Sequence, residues 1–250
     1  EIWGAGQYSE TTNYLGCLTI CRDVTLYGQF RVSHASSDEY QNLRGIRGDH
    51  TLTLGTLTSS TTLYAGSDYH IYCDVVVANE LVNDTYSIMY LEGDVSGSGN
   101  IKNNTSTSGS NNNGTRFYGS VTNWCGTYIG GGRYGQDRDN TQFATGAATS
   151  EHATYSFGYW SKNNNTRLLL ADGDTYKFGR YVNRGKDNFT LIGTQNATVE
   201  VGALGGESTM TSGDFGAGCN NILRKVGEGV LELNAANVAN LVIAGTGTVH

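Results

Sequence analysis

Proline is missing altogether from these 250 residues. Ordinary usage would supply about 5% of it. Proline has no amide donor for a β-ladder and is confined to edge strands and bulges, so its absence suits a fold whose strands are nearly all central. Charge is also sparse, at 16% of residues against roughly 25% in an ordinary domain. The 16 Lys and Arg are scattered and the net charge is −7. With no basic cluster there is no electrostatic footprint for nucleic acid or an anionic membrane. No apolar run is long enough to span a bilayer, and no leader pattern opens the chain. The chain begins at Glu1 rather than Met and reaches His250 inside a repeat-like strand, which reads as a piece of a longer protein. No convincing amphipathic helix is present. Residues 235–239 offer one turn at most.

What is abundant is glycine, with 35 residues, alongside much Asn, Thr and Ser. Glycine supplies the positive φ angles of tight corners, and the amides and hydroxyls bond to turn backbone. Between these residues lie short apolar alternations. In Lys225-Val-Gly-Glu-Gly-Val-Leu-Glu-Leu-Asn, Leu231 and Leu233 share one face of a strand, and Val230 and Glu232 share the other. Leu241 and Ile243 repeat the pattern after a polar bend. Thr51-Leu-Thr-Leu-Gly-Thr-Leu and Thr198-Val-Glu-Val-Gly-Ala-Leu have nearly the same form. Tyr69 to Val77, Tyr90 to Ile101 and Arg116 to Ile129 are further strand–corner units. Short strands and bends recurring at about 20 to 25 residues predict a β-solenoid, in which each coil buries its inward face against its neighbours.

The expected organisation is a parallel β-helix over residues 49–250, with polar loops projecting near 103–114 and 130–140. Residues 1–48 are less regular and stand as N-terminal strands, either earlier coils or an end cap.

The stretch at 225–249 resembles the K-x-G-x-G-x-L-x-L signature and following strand of autotransporter-associated β-strand repeats, found in passenger domains of bacterial autotransporters. Gly93 to Ile101, Tyr118 to Tyr128 and Val201 to Gly206 look like satellite elements of the same kind. The resemblance covers about half of the chain. It implies a single-stranded right-handed parallel β-helix on an extracellular or bacterial cell-surface protein, with an adhesive or structural role and self-association or surface glycans as partners. Five cysteines depart from that pattern, and no barrel accompanies the repeats. Separately, open end coils are unpaired strand edges, so copies with neither end capped would be expected to stack end to end into a filament.

Enzymatic chemistry has weaker support. A pectinase- or lyase-like β-helix needs carboxylates converging on one groove. Asp137 and Asp139, beside Arg133 and Arg138, and Asp172 with Asp174 are the local pairs, and a surface turn explains each of them better. No nucleophile stands beside a recognisable base, no Cys or His pair shows convincing metal spacing, and no cofactor motif is present. No catalytic residue, metal ligand or cofactor is therefore assigned.

Three features remain. Asn83, Asn103, Asn104, Asn113, Asn164, Asn188 and Asn196 each head an Asn-x-Ser/Thr sequon and are candidate glycosylation sites of a secreted glycoprotein. Cys17 and Cys21 are a candidate disulfide, provided the chain turns between them. Tyr128, Tyr134, Tyr155, Tyr159 and Trp160 form either a carbohydrate-stacking row or, by the weightier reading, stacked core.

Overall fold

A computed structural model describes residues 3–5, 8–9, 12–13, 17–32, 45–65, 68–84, 88–103, 114–130, 140–157, 167–183, 190–193, 196–211, 220–234 and 240–250. The described chain is all-β, with no helix, and its strands stack in parallel as a β-solenoid. Each coil passes through up to three ladders. The first runs from Cys17–Thr19 through Gly45–Arg47, Tyr69–Ile71, Ile88–Leu91, Gly114–Phe117, Asn140–Phe143 and Arg167–Leu170 to Thr190–Gly193. The second comprises Val24–Leu26, Leu52–Leu54, Val75–Val77 and Val95–Gly97, and later Thr175–Phe178, Thr198–Val201, Ile222–Lys225 and Asn240–Ile243. The third holds nine strands, from Gly28–Val32 to Val230–Asn234.

The period follows from the pairing. His70 pairs with Tyr90, Val75 with Val95 and Leu81 with Ile101, each twenty residues on. Spacing is wider on either side of these coils: Gly28 pairs with Thr61 and Tyr128 with Tyr155. The core changes along the stack. In the first ladder the inward column is Leu18, Ile46, Ile71, Leu91, Phe117 and Phe143, all buried. In the third ladder Thr61, Leu81 and Ile101 give way to Tyr128, Tyr155 and Tyr181, also buried. Aromatic rings thus take over from aliphatic side chains along the inward columns. Trp124 helps to fill the middle coils, where the second ladder is interrupted. It is bridged to Gly97, and its indole N–H donates to the Gly99 carbonyl at 2.8 Å.

Several buried polar atoms are paired by the stacking itself. Asn83 and Asn103 occupy one inward position on adjacent strands, and the Asn83 amide donates to Asn103 Oδ1 at 3.0 Å. Asn103 Nδ2 donates to the Tyr128 hydroxyl, which also meets Thr141 Oγ1, both at 2.6 Å. At the corner before the second ladder, Asp23, Asp74 and Asp94 accept the N–H of Thr51, Asp94 and Ser120 respectively, each at 2.8–3.0 Å. Beside that corner Gly119 lies directly over Gly93. A Cβ on Gly119 would sit 2.2 Å from the Gly93 carbonyl oxygen, so any side chain there pushes two coils apart.

Part of the N-terminal stretch lies among the described residues. Cys17–Thr19 pairs in parallel register with Gly45–Arg47, so the stack starts well before residue 49. Trp3–Ala5 then pairs antiparallel with Cys17–Thr19 and closes the first ladder. The expected loop near 103–114 corresponds to residues 104–113 and that near 130–140 to residues 131–139, and both lie outside the described residues. Their flanks show that each joins the end of the third ladder to the start of the first.

Phe143 stacks on Phe117 with centroids 4.8 Å apart and lies within 6.2 Å of Tyr155, Tyr176 and Phe178. Phe143→Ala is expected to destabilise the fold by about 3–5 kcal/mol, and Phe143→Leu by less. Denaturant unfolding followed by circular dichroism reads both.

Candidate functional site

The densest group of chemistry-bearing side chains among the described residues lies on the outer side of the first ladder. Outward positions there form two columns. One carries Gly45, His70, Tyr90, Arg116 and Gln142 in register. Beside it, at or just past the strand ends, stand Arg47, Tyr72, Glu92 and Tyr118. Period-two alternation turns them outward while Ile46, Ile71, Leu91 and Phe117 turn in.

His70 stacks on Tyr90 with centroids 4.0 Å apart and planes 6° from parallel. It also lies nearly parallel to Tyr72, with centroids 5.4 Å apart and planes 11° from parallel. The Arg47 guanidinium lies 4.5 Å from the Tyr72 ring centroid, and that of Arg116 lies 5.3 Å from Tyr90. His70 Nδ1 is 2.8 Å from Glu92 Oε1. The Tyr90 hydroxyl donates to Asp68 Oδ2 at 3.3 Å and accepts from Arg116 Nη1 at 3.4 Å. Asp68 is held in turn by the Ile88 N–H at 3.2 Å. Burial, then the Asp68 charge, pushes the Tyr90 phenol up to about 12. Tyr90 therefore stays protonated at neutral pH and is a hydrogen-bonding group, not a base. Tyr118 ends the aromatic part, 42% exposed and tilted 33° from Tyr90.

These residues were not singled out by sequence reasoning, because the partners are about twenty residues apart. The signal was present in the matching strands Tyr69-His-Ile-Tyr and Met89-Tyr-Leu-Glu, once the coil period is used to align them.

The residues that were singled out fall elsewhere. Asn83 and Asn103 are buried and hydrogen-bonded inside the coil. The folded chain cannot carry a glycan there, and both leave the list of glycosylation candidates. Asn196 is exposed and remains one. Asn104, Asn113, Asn164 and Asn188 lie outside the described residues. Cys21 carries a free thiol, so the Cys17–Cys21 disulfide is not formed. Cys17 starts a strand, and three residues of extended chain advance about 10 Å, beyond disulfide reach. Cys73 is buried and its thiol is pushed up to about 11, chiefly by burial.

Tyr128 and Tyr155 belong to the core, as the weightier reading expected. Tyr134, Tyr159 and Trp160 lie outside the described residues, as do Arg133, Asp137, Arg138 and Asp139. Asp172 is on an exposed turn, while Asp174 Oδ2 accepts the Gly146 N–H at 2.9 Å and the Tyr176 hydroxyl at 3.5 Å. That pair holds a corner. No group of three or more His, Cys, Asp or Glu able to hold a metal ion occurs among the described residues.

With this geometry in view, comparison with known proteins adds nothing further: no family model, no curated protein and no solved structure matches the chain.

The Lys225-x-Gly-x-Gly stretch also has a physical role. Lys225 points inward between Val201 and Ile243 and is shielded from solvent. Its ammonium donates to the carbonyls of Val226 at 2.8 Å and Gly227 at 2.9 Å. Desolvation lowers its pKa below 10.5. Below the folded value both states hold the proton and the desolvation cost is fully present. Between the folded value and the unfolded one the unfolded chain binds more protons, so stability rises with pH. Denaturant midpoints measured from about pH 7 to pH 10 are expected to rise in the native chain relative to Lys225→Met, in which this component is absent.

Proposed function

We propose that this chain is a non-enzymatic structural and adhesive scaffold of an extracellular or bacterial cell-surface protein. The observation that carries the reading is how the chain spends its length. Two ladders of nine strands each form a continuous packed stack. The intervals 33–44, 104–113, 131–139, 158–166 and 184–189 all connect the third ladder back to the first. These five connections thus fall at one position of the coil, an arrangement that suits a repeated frame carrying functional loops. The resemblance of 225–249 to autotransporter passenger repeats supports the same reading. So do the sequons at Asn104, Asn113, Asn164 and Asn188, which fall within those intervals, and the exposed Asn196.

Filament assembly by head-to-tail copies belongs to this proposal. At one end the first ladder is closed by Trp3–Ala5, while the second and third end on Val24–Leu26 and Gly28–Val32. At the other end, Asn240–Ile243 is the last strand of the second ladder. There Leu241, Val242 and Ile243 are 41%, 44% and 57% exposed. Leu241 and Ile243 extend the inward columns of Leu223 and Lys225, so a further rung, whether from chain beyond residue 250 or from the second ladder of another copy, would cover them. A contact between copies is heterologous and does not close.

A polysaccharide-degrading activity is the alternative, favoured by the contact of His70 with Glu92 beside Tyr90 and Arg116.

Electron microscopy and sedimentation at increasing concentration test the scaffold reading. Rods that align end to end, with assembly lost in Ile243→Asp, are expected. Single short particles at every concentration would remove the filament. No unsaturated or reducing product is expected from acidic polysaccharides, with or without calcium. Product lost in His70→Ala would establish the enzyme instead.

A further inference from the structure

We propose that the outer face of the first ladder, from Arg47 to Tyr118, binds a neutral, hydroxyl-rich glycan chain laid along the rod. This deepens the scaffold reading and rests on it, since it assigns the surface through which such a scaffold would adhere.

The argument starts from spacing. Rungs recur about every 4.8 Å, close to the advance of one pyranose unit in an extended chain, so a glycan parallel to the rod meets similar chemistry at each sugar. Four consecutive rungs supply that chemistry: Arg47; His70 with Tyr72; Tyr90 with Glu92; Arg116 with Tyr118. All are partly or well exposed.

Charge selects the ligand class. The patch carries two guanidinium groups, Arg47 and Arg116, and two carboxylates, Asp68 and Glu92. Arg47 is stacked on Tyr72, and Arg116 is both stacked on Tyr90 and bonded to its hydroxyl. With the fixed charges balanced, an ionised chain gains little over a neutral one. Hydroxyl groups, which donate and accept, match a surface that offers both.

Rigidity favours binding. Mutual stacking of His70, Tyr72 and Tyr90, and the His70–Glu92 contact, hold these side chains before any ligand arrives. Little rotamer freedom is left to lose on association. Tyr118, tilted away from the parallel stack, presents ring surface to solvent and gives a sugar ring an apolar face to lie on. Further along, the outward column continues as Gln142 and Leu169, without aromatic rings, so the surface has a defined end.

Affinity electrophoresis of the whole chain through gels containing soluble mannan, xyloglucan or mixed-linkage glucan tests this, with polygalacturonate and alginate as acidic arms. Retardation by at least one neutral polysaccharide is expected. It should weaken by about tenfold in Tyr72→Ala and in Tyr118→Ala. Leu57→Ser, at the exposed turn between the second and third ladders, should bind like the native chain. Matched thermal unfolding shows that each variant is folded, and Tyr118→Leu serves if Tyr118→Ala is not. Absence of retardation in every neutral gel, unchanged binding in folded Tyr72 and Tyr118 variants, or binding confined to the acidic arms would overturn the proposal. Rods seen by microscopy together with any of these outcomes would sink the glycan site alone and leave the scaffold standing.

Discussion

Every feature of this chain depends on one constraint. Each strand must find the same ladder position one coil away, and its backbone must hydrogen-bond on both sides. That requirement sits badly with proline. It puts glycine where corners touch, as Gly119 does over Gly93. It also makes each residue's neighbour the residue about one coil later, so side chains interact in columns and not along the sequence. An aspartate placed before a strand then caps the next coil, as Asp74 does for Asp94 and Asp94 for Ser120.

The columns explain both the interior and the surface. Inside, each column runs from rung to rung, and along it the core passes from Ile and Leu to Phe and Tyr. Hydroxyls brought inside must be answered there, because a buried donor or acceptor left unpaired costs about 1–3 kcal/mol. Tyr128 is answered by Asn103 and Thr141, Tyr155 by the Ser150 N–H and Tyr176 by the Ala171 N–H. Outside, the same geometry brings His70 over Tyr90 and Arg47 over Tyr72, and each stack adds to the cohesion of neighbouring coils.

This logic also separates what could be read from the sequence from what could not. Alternation within a strand is local, so Leu52–Leu54, Thr198–Val201 and Val230–Asn234 were legible from their own residues. The solenoid was legible because the alternations recur. Burial of Asn83 and Asn103 was not. A sequon is a pattern of three residues, whereas the fate of Asn83 is decided by Asn103 and Thr115, twenty and thirty-two residues away. The Cys17–Cys21 pairing failed for the related reason that closeness in sequence is not closeness in space when the chain is extended. The outward cluster was missed because its members become neighbours only when the register of the coils is known. Register is set by corner lengths, which vary from coil to coil.

A frame of this kind tolerates specialisation on its skin. Because each coil contacts mainly its neighbours, a change at an outward position is felt by one or two rungs and not by the whole stack. Stacked aromatic and cationic pairs on the surface contribute about 0.5–1.5 kcal/mol apiece, modest beside the burial of the inward columns. Residues such as Tyr72 and Tyr118 are therefore dispensable to the fold in a way that Phe143 or Tyr128 is not. Concentrating costly, rigid aromatic and charged groups on four successive outer rungs, while the later outward positions relax to Gln142 and Leu169, is more than cohesion of the stack demands. Cohesion alone would spread such pairs along the rod, whereas a ligand of limited length gathers them in one place.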